Sequence, residues 1–355
     1  MVSASAAMAQ GGPVRARMTL LSLYAKSDVI VIGRYGNRVE TGLDRAGDGF
    51  TVANIKTSFD VSTVLKGEPR KFVAVETQEF RYQIQKNGEA PRDAVFVEGI
   101  SSQRPDDQIK PGDTVLVFLQ SEGDSLSLTD ERDGVRKLTA ADQAVYESRI
   151  KELNAIFDSE KPDASKIASW LVRCVENKTT RWDGTHELLQ GLRRIEWQSK
   201  TDPNGYERID PSVSYKYGAE TAKSLTADMK RALTQILVNS VVTERQEKTI
   251  SDADRELITL VKGWDPDAAA SAMLSLLKSR GFTQHENVGL MYRIAELLGD
   301  VQTADLHQSY AALRKQLAVS ESPSERQMRK LDTILARFIT AAESEINRQI
   351  EKSLD

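Results

Sequence analysis

The spacing of apolar residues changes once along this chain, and the change falls at Leu138–Thr139. Before it, short β-branched runs alternate with turn residues; after it, apolar residues recur about every 3.6 positions. A sheet face and a helix stripe do not share one repeating pattern, so the chain reads as two parts, β first and α second. A length of 355 residues exceeds what one ordinary core serves, which points the same way. The predicted fold class is multidomain β + α: a small N-terminal β-barrel over 18–138 and an all-α domain, helical repeat or bundle, over 139–355. Residues 1–17 are set apart as a disordered tail or signal-peptide remnant.

The densest strand signal runs from Ser27 to Glu68. Asp28-Val29-Ile30-Val31-Ile32-Gly33-Arg34 opens it, after a short amphipathic helix or turn at Met18–Lys26. Asn37–Gly49 holds three glycines among alternating charges and reads as a loop. Phe50–Lys56 and Phe59–Glu68 resume the strand signal, with the alternation interrupted between Ile55 and Phe59. A bulge placed there bends the strand as a closed barrel requires. Lys71–Thr77, Ala94–Val97, Thr114–Leu119, Leu126–Leu128 and Val135–Leu138 complete a set of short strands separated by turns.

Strand "DVIVIGR", a long second strand ending in "VLKGE", an alternating third, and "PGDTVLVFL" followed by "SLSL" together resemble the netrin/TIMP-type OB-fold barrel. The resemblance covers roughly residues 18 to 138 and carries no catalytic signature. It implies a small OB-like barrel. Its best-known members inhibit metalloproteinases by chelating zinc through a mature N-terminal cysteine, and are stapled by disulfides. This chain has a single cysteine, Cys174, and processing after Ala9 exposes Gln10, so the chelating position has no counterpart. Cys174 lies in the apolar context Trp170–Val175 and reads as a buried thiol.

In the helical part, Thr139-Ala140-Ala141-Asp142 and Thr180-Arg181-Trp182-Asp183 have capping-box form, and Ser251 with Asp254 caps the run to Val261. Asp265-Pro266 joins a capping carboxylate to a first-turn proline, and Ser322-Pro323-Ser324-Glu325 opens the last helix. No β-like alternation follows Leu138. A shift of 37 residues lays Leu257 on Ile294, Leu260 on Leu297, Val261 on Leu298, Met273 on Tyr310 and Leu276 on Leu313. This resembles HEAT-like helical repeats; an irregular bundle is the alternative. Met328, Leu331, Leu335, Phe338, Ala342, Ile346 and Ile350 form a stripe that either caps this stack or provides the seam of a homodimer.

Chemistry is sparse in the pattern. His186, His285 and His307 form no H-x-x-x-H or H-E-x-x-H pair, so no metal site is predicted. No G-x-S-x-G elbow and no phosphate- or dinucleotide-binding glycine loop occurs, so neither catalytic residues nor a cofactor are assigned. Net charge is −4, with 18 Lys and Arg against 19 Asp and Glu through residue 138, which excludes the basic footprint nucleic acid requires. No stretch reaches the length of a transmembrane helix.

The segment Ser199–Gly218 reads as a long loop carrying Tyr206, Tyr215 and Tyr217, a candidate partner-binding loop, because tyrosine supplies contact area at low entropic cost. Ala7-Met8-Ala9 before Gln10 has the small-residue form of a signal-peptide cleavage region. The expectation is therefore a non-catalytic, extracytoplasmic (periplasmic, secreted or cell-surface) protein that binds another protein; a cytoplasmic address is the alternative. The alternative functions are a TIMP-type protease inhibitor lacking the cysteine chelate, and a cell-envelope hydrolase.

Overall fold

The computed structural model describes residues 17–47, 50–84, 92–95, 109–123, 125–158, 163–192, 195–201, 207–213, 223–243, 251–278, 284–318 and 324–354. The chain forms two compact units, Met1–Pro162 and Asp163–Asp355.

The first unit is an antiparallel sheet with two helices. Helix α1 (Leu20–Lys26) leads into β1 (Val29–Gly47), β2 (Phe50–Lys66), β3 (Phe72–Ile84), β4 (Arg92–Val95), β5 (Thr114–Glu122), β6 (Ser125–Leu128) and β7 (Val135–Lys137), and α2 (Ala140–Phe157) follows. The order across the sheet is β4-β3-β2-β1-β5-β6, with β7 also on β5. The sheet is not closed: β3 approaches β6, but among the described residues no ladder joins them.

Alternation explains why the strands at the centre of this sheet read as unbroken apolar runs. Val29, Val31, Tyr35, Phe59, Val73, Val75, Val115, Val117 and Leu119 belong to one core cluster on one face. Ile30, Ile32, Leu116 and Phe118, on the other face, are also buried. Helix α1 packs on β5 and α2 on β2, and a strand covered on both sides can be apolar at every position. Helix α2 thus packs in the first unit, although its period groups it with the helical half. The Tyr24 ring of α1 packs at a tilt, 5.4 Å between centroids, on Phe157 of α2, and Asn154 donates to the Leu65 carbonyl.

Two expectations for β1 and β2 are corrected. Asn37–Gly47 is strand, not loop, because its backbone continues the ladder with β2 from Arg38↔Thr57 to Gly47↔Phe50. The irregularity is not within Ile55–Phe59. Ile55, Thr57 and Phe59 are all buried, so alternation is intact and a threonine fills the inner place. The bulge lies across from it, between Tyr35 and Arg38 of β1. The register shifts again at Glu40/Gly42 and Arg45/Gly47, with the extra residue on β1; at Ile30/Val31 and Ile32/Gly33 it is on β2. Bulges bend the strand that carries them, and here both strands of the ribbon carry them. At Gly33 the two backbones close to where a Cβ would stand 2.5 Å from the Asp60 carbonyl oxygen, which only glycine permits. Gly67 ends β2 at φ 88°, a left-handed turn residue.

The second unit is mainly helical: α3 (Ala164–Glu176), α4 (Arg181–Leu192), α5 (Ala227–Thr243), α6 (Asp252–Val261), α7 (Pro266–Lys278), α8 (Gln284–Leu298), α9 (Val301–Ala318) and α10 (Glu325–Leu354). It also contains strands β8 (Ile195–Thr201) and β9 (Glu207–Val213), paired antiparallel. This corrects the expectation of no strand after Leu138 and of a loop from Ser199: Pro211 and the interspersed charges hide the alternation.

Helix starts follow local side-chain chemistry. Thr139 and Asp142 form a reciprocal capping box, Ser251 accepts from the Asp254 N–H, and Asp265 accepts from the Ala268 N–H at 3.0 Å. Helix α10 is capped by Ser324, which exchanges hydrogen bonds with Gln327. Ser322 and Pro323 lie outside the described residues. Thr180 precedes α4, and its hydroxyl donates to the Cys174 carbonyl.

Helix α3 packs on α4 and α5, α4 on α6, α5 on α6 and α7, and α7 on α8. Under the 37-residue shift α6 and α7 fall on α8 and α9. Leu257 and Ile294, Val261 and Leu298, and Met273 and Tyr310 are buried in matching places. Asp300 caps α9 through the Thr303 N–H as Asp265 caps α7. The stripe on α10 faces its own unit: Leu331, Phe338, Ala342 and Ile346 are buried where α10 crosses α7, α8 and α9.

Candidate protein-interaction surface

Strand β5 pairs with β1 only from Val29 to Arg34. Beyond that point β1 runs on against β2 alone, and its outer edge carries no ladder among the described residues. The register decides which residues share a face of this extension. Val39 is opposite Lys56, and Arg34 is opposite Asp60, which in turn is opposite Phe72. All five lie on the face of Ile30 and Ile32, past the part that is covered. Val39 is 54% and Phe72 58% exposed, with Arg34, Lys56 and Asp60 exposed between them. Leu43, 55% exposed, is opposite Ala53 and therefore on the other face, because the bulge at Thr41 breaks the four-residue repeat from Val39.

On the inner face of the extension Arg38 forms an ion pair with the buried Glu79 of β3. The pairing satisfies a carboxylate where the apolar interior ends, since an unpaired buried charge is costly. The bulges at 36–37, 41 and 46 cut the open edge of β1 into short regular runs, which hinders indiscriminate strand addition.

A second concentration of polar groups lies between α4 and α6. His186 Nδ1 is 2.8 Å from Glu256 Oε1, and the Trp182 ring stacks on the imidazole at 4.8 Å. Arg181 reaches Asp254 at 3.9 Å and donates to the Val175 carbonyl, while Ser251 donates to Asp254 at 2.6 Å. These groups span from one helix to the next and tie α4 to α6. His186 is thus a half-buried, partnered residue and not a solvated one. His307 packs against Tyr292 at 5.6 Å, and burial holds it below the usual histidine range. His285 falls in α8. Among the described residues no group of three or more His, Cys, Asp or Glu is disposed to hold a metal ion.

Tyr206, Tyr215 and Tyr217 lie outside the described residues; in sequence they flank β9. Sequence reasoning missed Val39 because the glycines of 37–49 read as a loop; Phe72 is one of five strand phenylalanines that the apolar neighbours suggest are mostly core, and only register sets it on an exposed face with Val39. No helix among the described residues is long and apolar enough to cross a membrane. Comparison of the chain with protein-family models, with curated proteins and with solved structures yields no match.

Proposed function

We propose that this chain is a non-catalytic, extracytoplasmic protein-interaction protein, and that the exposed face of Arg34, Val39, Lys56, Asp60 and Phe72 receives a protein partner. The observation that carries this reading is two large apolar side chains, each more than half exposed, interleaved with both signs of charge on one sheet face. Protein-binding surfaces combine apolar anchors with a polar surround in this way.

In the same reading the first unit is an open OB-type barrel of the netrin/TIMP kind. The β3-β2-β1 meander, the pairing of β5 with β1 and the alternating bulges support it. The second unit is a HEAT-like stack, supported by the equivalence of α6–α7 with α8–α9 and by packing of each helix on its near neighbours in sequence. Export rests on Ala7-Met8-Ala9.

The test is crosslinked capture from the cell envelope of the source organism with full-length protein. The double variant V39K/F72K changes only exposed positions, so its far-UV circular dichroism should match wild type while the captured partner is lost. Undiminished capture by V39K/F72K would remove this face from the reading.

A further inference from the structure

Asn177-Lys178-Thr179 lies in the turn between α3 and α4. Of the nine asparagines in the chain, only Asn177 is followed by a residue other than proline and then by serine or threonine. That is the acceptor pattern for asparagine-linked sugar. Tripeptides of this form also arise by chance, so the weight falls on the turn that carries this one.

Helix α3 ends because Asn177 leaves the helical region. Its backbone is extended, at φ −100° and ψ 128°, and its N–H folds back to the Cys174 carbonyl. The Thr180 N–H donates to the Asn177 carbonyl at 3.1 Å, and the Thr180 hydroxyl to the Cys174 carbonyl at 2.9 Å. Asn177 Oδ1 accepts the Thr179 N–H at 2.9 Å, the bond by which an asparagine closes a turn on its own backbone. The amide oxygen is thereby committed to the turn, and the nitrogen on the other side of the same amide points away from that bond. Nδ2 has no hydrogen-bond partner among the described residues, and it is not enclosed. Cys174, Val175 and Thr180 form the buried inner side of this turn. Glu176 and Lys178, on either side of the half-buried Asn177, are exposed.

We propose that Asn177 Nδ2 is an N-glycosylation acceptor, modified by an oligosaccharyl transferase that uses a lipid diphosphate-linked oligosaccharide as donor. The proposal rests on the extracytoplasmic reading, because that transfer takes place on the side of the membrane away from the cytoplasm. The bond from Nδ2 to C1 of the first sugar forms as the bond from C1 to the diphosphate oxygen breaks. The electron pair leaves with the lipid diphosphate, and the proton displaced from the amide nitrogen passes to a base of the transferase and on to solvent. Thr179 supplies the hydroxyl by which the acceptor is recognised.

The experiment uses the full-length chain purified from its own source cells. Cell fractionation reads its location, and mass spectrometry of the peptide spanning 174–181 reads Asn177 before and after treatment with a glycan-releasing amidase. The expected result is an extracytoplasmic chain whose peptide carries the mass of a glycan, released by the amidase with aspartate left at 177. N177D keeps an oxygen to accept the Thr179 N–H but removes the amide nitrogen, so it should retain the wild-type circular dichroism and lose the glycan. T179S keeps the hydroxyl and should retain the modification, whereas T179A should lose it. An extracytoplasmic chain with Asn177 unmodified overturns the proposal and leaves the export reading standing. A chain found only in the cytoplasm overturns both. A glycan that persists in N177D is attached to another residue and also overturns the proposal.

Discussion

Gly184 lies in α4 where it crosses α3. A Cβ at that position would stand 2.5 Å from the Leu171 carbonyl oxygen, 2.8 Å from Cys174 Cβ and 2.9 Å from Val175 Cγ2. Two of these three atoms are backbone or fixed directly to it, so neither can swing away. Gly289, in α8, would meet nothing within 4 Å. Exchanging glycine for alanine inside a helix gains about 1 kcal/mol from backbone entropy and propensity at either site. At Gly184 that gain is opposed by overpacking of about 1–3 kcal/mol, because α4 must back away from α3. G289A should therefore be stabilised by about 0.5–1 kcal/mol and G184A destabilised by up to about 2 kcal/mol. All four tryptophans, Trp170, Trp182, Trp197 and Trp264, belong to the second unit, so urea unfolding followed by tryptophan fluorescence reads that unit alone. With slopes of about 1–3 kcal/mol per molar urea, a 2 kcal/mol loss lowers the midpoint by roughly 1 M. If G184A proved as stable as G289A, the close crossing of α3 and α4 at this residue would be wrong.

The remaining predictions concern the first unit, which has no tryptophan; its transition is the part of the whole-chain far-UV circular dichroism change that tryptophan fluorescence does not track. Asp133 accepts a 2.6 Å hydrogen bond from the Met18 N–H, yet burial raises its pKa above the usual carboxylate range against that bond. A raised carboxyl contributes stability that is fully present below the unfolded pKa and lost as pH rises through the folded one. D133N keeps an acceptor for Met18 and removes the charge, so the stability of wild type relative to D133N should fall as pH rises above about 4, the ordinary carboxylate value; a difference that is flat or rises with pH contradicts this. Lys66 Nζ donates to the Tyr24 and Ser27 carbonyls at 2.9 and 2.6 Å, closing the C-terminal end of α1. K66M keeps the apolar stem and loses both charge-assisted bonds, which should cost about 1.5–3 kcal/mol in the urea transition; an unchanged midpoint would show that solvent serves those carbonyls as well.

Features that depend on near neighbours in the chain could be read from the sequence. The boxes at Thr139/Asp142 and Ser251/Asp254 and the cap at Asp265 need only a side chain and an N–H three residues apart. The unbroken runs Val29–Ile32 and Thr114–Leu119 carry their own strand signal. Asn37–Gly47 does not, because glycine and charge dominate it and only its ladder with β2 holds it extended. Strands β8 and β9 were hidden for a related reason, since Pro211 and alternating charges mask a pattern that appears once the two strands are set side by side. The candidate surface was out of reach in the same way: Val39 and Phe72 are 33 positions apart and share a face only through Lys56 and Asp60.

The sequence by itself determined that the first part is rich in strand and the second in helix, where most helices begin, and that a single thiol leaves no intrachain disulfide. Those are local properties, set by hydrophobic period, by capping bonds within one turn, and by composition. Tertiary structure alone decided on which strand each bulge falls, that α2 covers the sheet, and which side chains β1 leaves exposed beyond Arg34. The bulges and the exposed side chains turn on register, since in a strand a shift of one residue moves every side chain to the opposite face, and α2 is set on the sheet by contacts between residues far apart in the chain, such as Asn154 with Leu65.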